Sequence, residues 1–383
     1  MTSQNNFDAI VIGAGIVGAT TSLALTKAGL RVLVLDRGPV AGGTTGAGEG
    51  NILVSDKEPG PELELALMSR DLWFELGDDV GDSFELEAKG GVVVSRGDDT
   101  ALRDFAKRQR SAGVNAQEVN GNELRKLEPH LAPGINSGIF YPQDSQCQPM
   151  LAAAQILKRV RERGGIVKTG TTVTKFVIVS NRVTGVETSE GKFNAPTIVN
   201  AAGTWAGEIS KIAGSFLPIA PRKGFILVTA PMPQIINHKV YDSDYVANVA
   251  SGEADLQTST VVEGTRSGTI LIGASRERVG FDGSMNIDVL RRLAAQATSL
   301  FPILRDVQLL RAYRGFRPYA PDHLPVIGED SHIAGLWHSA GHEGAGIGLA
   351  PGSARLLTEQ ITGRSSFMDA SPFSPRRFQG GLA

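Results

Sequence analysis

The stretch Ala9-Ile-Val-Ile-Gly13-Ala-Gly15-Ile-Val-Gly18 decides the fold of this 383-residue chain. Its apolar start predicts a buried strand, and the residues from about Ile16 to Lys27 predict a helix that follows a tight glycine turn. Gly13 allows the turn, Gly15 lets phosphates approach the backbone, and Gly18 lets the helix pack on the strand. Because the helix points its positive end at the loop, the pattern predicts a site for a dinucleotide's pyrophosphate.

A second apolar strand, Arg31–Asp36, follows the helix and ends in a carboxylate. Asp36 comes 18 residues after Gly18, a spacing that suits an acceptor for the ribose hydroxyls of the dinucleotide. A bare glycine motif is often only a flexible loop, but strand, helix, second strand and acid together favour dinucleotide binding. The motif alone does not separate FAD from NAD.

The composition argues against several classes of protein. A net charge of −2 argues against nucleic acid as a main partner, and the single cysteine, Cys147, cannot form an internal disulfide or hold an iron–sulfur cluster by itself. No apolar run reaches the ~20 residues of a membrane span, and the polar start, Met1–Asp8, carries no secretory signal. We therefore expect a cytoplasmic protein.

Strand and helix patterns along the rest of the chain predict an α/β fold. A discontinuous Rossmann-like nucleotide domain is interrupted twice by a mainly antiparallel β-sheet domain that binds the substrate. The nucleotide domain is expected at residues 1–83, 148–220 and 322–383, and the substrate domain at 84–147 and 221–321. A short β-meander is predicted from Ile166-Val167, Thr172–Val179 and Arg182–Thr188.

Four motifs match one family. They are Gly13–Gly18 with Asp36, Thr44-Thr45 before a glycine-rich loop, Val199-Asn-Ala-Ala-Gly-Thr-Trp205, and Gly315-Phe-Arg-Pro318 followed by Pro325-Val-Ile-Gly328. On these motifs the chain resembles the D-amino-acid-oxidase superfamily of FAD oxidoreductases, which includes glycine oxidase and the sarcosine oxidases. The resemblance extends from about Phe7 to Gly363. It implies non-covalently bound FAD rather than NAD, and a glycine/sarcosine-oxidase-like fold.

Two loops resemble a subgroup of that superfamily. The segments Gly48–Lys57 and Gly341–Gly348 are similar to those of β subunits of heteromeric D-hydroxyproline dehydrogenases and of opine oxidases for octopine and nopaline. This resemblance implies an α subunit and a small iron–sulfur subunit as partners in a hetero-oligomer. FMN and an iron–sulfur cluster would then be supplied with those partner subunits, whose thiolates this chain lacks.

The resemblance implies oxidation of a carboxylated, secondary amine by hydride transfer to flavin N5, which gives an imine that hydrolyses. One alternative is a stand-alone glycine, sarcosine or D-amino acid oxidase that produces hydrogen peroxide. Another is a non-catalytic subunit that only holds FAD.

The candidate cofactor residues follow the motifs and the family placement. Beside the glycines and Asp36, they include hydroxyl and backbone donors for the pyrophosphate, an adenine contact and the start of a helix that faces the flavin. The full set is Gly13, Gly15, Ile16, Val17, Gly18, Asp36, Arg37, Thr44, Thr45, Gly48, Gly50, Asn51, Val173, Ala202, Gly203, Trp205, Gly344, Ala345, Gly346 and Ile347.

Four side chains are candidates for the chemistry. Arg317 would bind the substrate carboxylate through its planar fork, as the arginine of the family's Arg-Pro motif does, or would form a surface salt bridge. His342 could serve as a base or flavin tuner, or only support the site. Glu49 could contact a cationic group of the substrate or be solvated, and Tyr245 could cover the flavin or be structural.

Three other basic residues stand near strand ends. Arg222, Lys223 and Arg266 are expected to be surface charges.

Overall fold

The computed structural model describes residues 5–81, 83–244 and 253–381, and two large sheets organise this part of the chain. The first is a six-stranded sheet around the glycine motif. Its strands, from edge to edge, are β18 (Val326–Glu329), β19 (Leu336–Ala340), β12 (Thr197–Asn200), β1 (Ala9–Ile12), β2 (Val32–Leu35) and β8 (Ile166–Lys168). All neighbours are parallel except β18 and β19. Such a sheet needs crossover connections, which cover both of its faces.

The helices carry the crossovers and cover the sheets. They are α1 (Ile16–Lys27), α2 (Pro61–Val80), α3 (Thr100–Ser111), α4 (Gly121–Leu127), α5 (Pro149–Glu162), α6 (Ala206–Ala213), α7 (Ile287–Leu300) and α8 (Gly346–Ile361). Within the described ranges, none of them is long and apolar enough to cross a membrane.

Helix α1 packs on one face of the six-stranded sheet, and a small antiparallel sheet covers the opposite face. It consists of β9 (Val173–Val179), β10 (Arg182–Thr188) and β11 (Gly191–Asn194). Alternate residues of β1 enter different cores: Val11 clusters with Leu23 of α1, whereas Ile12 clusters with Phe176 of β9. This alternation explains why the strand is apolar throughout, since each face is buried.

The prediction that Ile166 and Val167 begin the meander is wrong. They belong to β8, which pairs in parallel with β2 at the edge of the six-stranded sheet. The reason is the preceding helix α5, which packs on α1 and returns the chain to that edge as a parallel crossover.

The second large sheet has eight strands and is antiparallel except where β14 pairs with β4. Its order is β17 (Leu309–Tyr319), β13 (Ala220–Thr229), β16 (Ile270–Arg276), β15 (Gln257–Gly264), β14 (Lys239–Asp242), β4 (Gly91–Ser95), β6 (Ser137–Tyr141) and β5 (Gln117–Asn120). Helix α7 packs on one face, where Leu293 joins Leu227 and Val262 in a separate core. A two-stranded ribbon, β3 (Asn51–Ile52) with β7 (Ser145–Gln146), completes the strands described.

The two large sheets are joined at the edge strand β17. The hydroxyls of Thr44 and Thr204 both donate to the carbonyl oxygen of Phe316, at 2.9 and 2.7 Å. Thr44 follows β2 and Thr204 follows β12, so these bonds connect the nucleotide sheet to β17. The domain limits given above stay a prediction.

Candidate active site

A cavity of about 520 Å³ lies between the glycine loop and the β13–β17 edge of the eight-stranded sheet. Most of the candidate residues line it, although they come from the start, middle and end of the chain. Those that do are Gly13, Gly15, Ile16, Val17, Asp36, Arg37, Thr44, Thr45, Gly48, Glu49, Asn51, Val173, Ala202, Gly203, Trp205, Arg317, His342, Gly344, Gly346 and Ile347.

Three candidates in the described part of the chain are not among the lining residues: Gly18, Gly50 and Ala345. A Cβ at Gly18 would lie 2.0 Å from the carbonyl oxygen of Gly13, so Gly18 allows close helix–strand packing. Gly50 has φ of +97°, and its Cβ would lie 1.8 Å from the carbonyl oxygen of Cys147. Both glycines therefore shape the backbone around the cavity. A fourth candidate, Tyr245, lies outside the described residues.

The glycine loop offers donors for an anion. Gly13 has φ of +120°, and a Cβ there would lie 2.3 Å from the carbonyl oxygen of Ala201. Gly15 is the N-cap of α1 and has no side chain to satisfy the helix's first N–H groups, which the helix dipole makes attractive to phosphate. The Ile16 N–H donates to Oγ1 of Thr45 at 3.0 Å, which brings a hydroxyl to the same point. This donor set fits a pyrophosphate.

The carboxylate of Asp36 is fixed at the end of β2. Its Oδ2 accepts from the Ala14 N–H at 2.7 Å, and its Oδ1 accepts from the Gly38 N–H at 2.8 Å. Since each carboxylate oxygen has two lone pairs, both can still accept from ribose hydroxyls. Next to it, the guanidinium carbon of Arg37 lies 4.4 Å from the centre of the Trp205 ring. Phosphate donors and a ribose acceptor thus line the same cavity, and the residues fit the adenosine half of FAD.

The two threonines of the loop have different partners. Thr45 faces the helix terminus, whereas the Thr44 hydroxyl is engaged with Phe316 and Thr204. Its backbone N–H, and not its hydroxyl, remains the predicted donor to FAD.

The far end of the cavity is built on paired strands with small central residues. In the register of β13 and β17, Arg222 faces Arg317, Gly224 faces Gly315, and Ile226 faces Tyr313. Because side chains alternate along a strand, these residues share one face of the sheet. The glycine pair leaves a gap between the arginines and the larger side chains, and other protein groups fill it: a Cβ at Gly224 would lie 2.2 Å from Nη1 of Arg317, and a Cβ at Gly315 would lie 2.5 Å from Cβ of Ala47.

Arg317 lies across this gap. Its Nη1 donates to the carbonyl oxygen of Ser275 at 2.9 Å, and a Cβ at Gly224 would lie 2.2 Å from the same nitrogen. No hydrogen bond of its Nε or Nη2 to another described residue is present. The guanidinium is therefore oriented by the protein while part of its fork can bind a carboxylate.

Glu49 lines the same end and is 9% exposed. Its Oε2 accepts from Asn51 Nδ2 at 2.9 Å and from Lys239 Nζ at 3.3 Å. Burial opposes ionisation, but Lys239, Asn51 and Arg317 together hold the pKa of Glu49 below its ordinary value. Glu49 is thus a buried carboxylate, so of the two alternatives left open for it the solvated side chain is wrong.

Glu49 belongs to a buried chain of alternating charges. Lys239 also approaches Oε2 of Glu263 at 3.6 Å, and Oε1 of Glu263 lies 3.2 Å from Nζ of Lys89. Two carboxylates and two ammonium groups balance one another, which makes burial of the four tolerable. Lys239 and Glu263 were not found by sequence analysis, because these partners lie far apart in the chain and no motif links them.

Arg222 and Lys223 are not surface charges, which corrects the expectation for them, whereas Arg266 is exposed and its expectation as a surface charge is confirmed. Arg222 is fully buried and donates to Oε1 of Glu343 at 2.5 Å, while Lys223 donates to Asp282 at 2.8 Å. These carboxylates therefore compensate the cost of burying the two positive charges.

His342 lines the cavity but is buried and neutral. Burial lowers its pKa to about 3, and its Nε2 is hydrogen-bonded with Oγ of Ser353 at 3.0 Å inside α8. This environment favours support of the site over the role of a base.

Cys147 does not line the cavity, and burial raises the pKa of its thiol. Within the described residues, no three His, Cys, Asp or Glu side chains gather as a metal site.

Comparison with known proteins agrees with this geometry. The family model described as FAD dependent oxidoreductase matches residues 8–360. The chain is 30% identical to glycine oxidase of Pseudomonas aeruginosa, over 96% of this chain and 98% of that protein. It is 29% identical to the hydrogen cyanide synthase subunit HcnC of the same organism, over 98% and 97% of the two chains.

A solved structure shows the same fold. The crystal structure of L-proline dehydrogenase from P. horikoshii matches with a TM-score of 0.89 and 24% identity, over 98% of this chain and 99% of that chain. The predicted α/β fold class is thereby confirmed, and the family model together with the similarity to glycine oxidase confirms the resemblance to the superfamily.

Proposed function

This chain belongs to the family of FAD-dependent oxidoreductases, and from that membership we propose that it oxidises a carboxylated secondary amine. The family membership establishes an FAD-dependent enzyme that acts on amines or amino acids at a C–N bond. The substrate and the assembly are what we add.

The observation that carries the proposal is the position of Arg317. Its guanidinium lies over Gly224, and only its Nη1 donates to the protein, to the carbonyl oxygen of Ser275. This is the end of the cavity opposite Asp36, where the fold would place the flavin ring. A planar fork of this kind binds a carboxylate through parallel, charge-assisted hydrogen bonds.

The residues of the chain would divide the work between them. FAD, when bound, supplies the hydride acceptor for the C–H bond next to nitrogen, and the resulting imine is hydrolysed by water. Gly15, Ile16 and Thr45 would bind the pyrophosphate, and Asp36 the ribose. Arg317 would orient the substrate, and the N-terminal N–H groups of α8 would place positive potential beside the ring.

We further propose that the substrate is an opine such as octopine or nopaline, or D-hydroxyproline, and that the chain is the catalytic β subunit of a cytoplasmic heteromeric dehydrogenase. The loops Gly48–Lys57 and Gly341–Gly348 support this proposal through their resemblance to such subunits. The similarity to HcnC, itself a subunit by name, also supports an assembly with partners.

The test is an anaerobic titration of the flavin absorbance near 450 nm, the usual band of oxidised flavin. Proline, D-hydroxyproline, sarcosine, glycine, octopine and nopaline are added in turn, and air is then admitted. We expect bleaching by a carboxylated secondary amine, followed by slow recolouring in air, since oxygen would not be the natural electron acceptor. Failure of every carboxylated amine to bleach the flavin would contradict the proposal.

A stand-alone oxidase is the second candidate. It is favoured by the similarity to glycine oxidase along nearly the whole of both chains. In the same titration this enzyme would recolour rapidly in air and produce one peroxide for each amine oxidised.

A further inference from the structure

The Glu49 carboxylate has acceptor capacity that the protein does not use. Its Oε2 accepts two hydrogen bonds, but its Oε1 has no hydrogen-bond partner among the described residues. A buried acceptor without a donor is costly, and a carboxylate more so than a neutral group. Oε1 itself is enclosed, but the side chain lines the cavity, so a rotation of the carboxylate brings this oxygen to a ligand that supplies the missing donor.

The side chains of Glu49 and Arg317 both contact the strand β16, although neither residue belongs to it. A Cβ at Gly273 would lie 2.6 Å from Oε1 of Glu49, and Arg317 donates to the carbonyl oxygen of Ser275. Gly273 and Ser275 are two residues apart on β16, so both side chains contact the same short segment, and the charge of Arg317 helps to lower the pKa of Glu49. A negative and a positive group therefore meet at the substrate end of the cavity.

We infer that Glu49 accepts a hydrogen bond from the charged nitrogen of the substrate, and so makes the enzyme select ammonium carboxylates over plain carboxylates. The inference rests on the proposed function, because it takes Arg317 as the group that binds the carboxylate. It assigns Glu49 to the nitrogen at the reacting carbon and not to a distant cation such as an opine's guanidinium.

The surrounding charges support this assignment. Lys239 lies between Glu49 and Glu263, and Glu263 also pairs with Lys89, so the four side chains carry no net charge. Arg317 then supplies one positive charge for the substrate carboxylate. The pKa of Glu49 is lowered, so it is ionised at neutral pH and can only accept.

The test uses two ligands that differ only in the charged nitrogen. 2-Aminoisobutyrate has no hydrogen on the carbon that bears nitrogen, so it cannot be oxidised there. Pivalate has the same shape with a methyl group in place of the ammonium. Dissociation constants on the FAD-loaded protein are measured by calorimetry and by the perturbation of the flavin spectrum.

We expect the wild type to bind 2-aminoisobutyrate about 10- to 100-fold more tightly than pivalate, as a hydrogen bond to a charged group warrants. Glu49→Gln should bring this ratio close to one. The matched control is Glu128→Gln, which changes a buried carboxylate that does not line the cavity and that accepts from the N–H groups of Asn237 and His238. It should keep the ratio of the wild type.

The outcomes separate the inference from the proposed function. A wild-type ratio near one, or a ratio that Glu49→Gln leaves unchanged, would overturn the inference. If Arg317→Ala then weakens both ligands, carboxylate binding and the proposed function stand. Binding of neither ligand to the wild type would overturn both. Should Glu49→Gln lose its flavin, Glu49→Asp takes its place, because the shorter side chain keeps the charge but withdraws the oxygen from the ligand and should lower the ratio in the same way.

Discussion

The two ends of the cavity are built in different ways. At the dinucleotide end, the main groups come from one stretch of about 35 residues, Gly13 to Thr45, and most of them act through backbone N–H or hydroxyl groups. At the substrate end, Glu49, Arg317 and Glu343 come from separate segments and act through charge, and Glu343 is paired with the buried Arg222. The first end depends on local backbone geometry, whereas the second depends on how distant strands pair.

This contrast predicts that a single side chain can abolish cofactor binding at the first end. A Cβ at Gly15 would lie 2.9 Å from Oγ1 of Thr45, and the larger Gly15→Val would occupy the space for phosphate. We expect folded protein without bound FAD, measured by absorbance and circular dichroism. The control, Gly134→Ala, meets nothing within 4 Å and should stay yellow. A yellow Gly15→Val protein would contradict the placement of the pyrophosphate.

At the second end, the largest expected effect is on stability. Lys239→Met leaves Glu49 and Glu263 buried without their shared cation, so the free energy of unfolding should fall by about 3–5 kcal/mol. The control is Lys168→Met, whose ammonium pairs with Glu190 in a partly exposed bridge and contributes under about 1 kcal/mol. Denaturant unfolding of both variants checks the difference, and equal small losses would show that the charge chain contributes little.

The sequence was informative where structure is local. The spacing of Gly13, Gly15 and Gly18 predicts the phosphate loop because a turn and a helix start involve only neighbouring residues. Arg317 was found through its motif, and the placement of its guanidinium over Gly224 required the structure. Arg222 was expected at the surface, because nothing near it in the sequence announces its partner Glu343.

A third prediction concerns Asp144, which accepts from the Val54 N–H at 2.9 Å and so holds the segment that follows β3. Burial raises its pKa from the ordinary 3.8 to about 7. Between these pH values the folded protein keeps a proton that the unfolded chain has lost, so stability falls as pH rises. Denaturant midpoints at pH 5 and pH 8 should therefore differ less in Asp144→Asn than in the wild type. The same pH dependence in both would contradict this assignment.

The smallest expected effect is on the hydrogen bonds that connect the six-stranded sheet to β17. Thr204→Val removes one hydroxyl that donates to Phe316, which should cost about 1 kcal/mol of unfolding free energy. Thr174→Val, which removes an exposed hydroxyl bonded to Glu187, is the control and should change stability less. A Thr204→Val protein as stable as the control would mean that this junction depends on packing alone.

The central claim is that one cavity binds FAD at one end and the substrate carboxylate at the other. Stopped-flow measurement of anaerobic flavin reduction by the best amine, in Arg317→Ala and in the exposed strand control Arg311→Ala, tests it most directly. In Arg317→Ala alone, we predict a substrate Kd raised roughly thirty-fold or more, which corresponds to a loss of about 2–5 kcal/mol of binding free energy. The FAD content should be unchanged in both variants. An unchanged Kd in Arg317→Ala would contradict the claim.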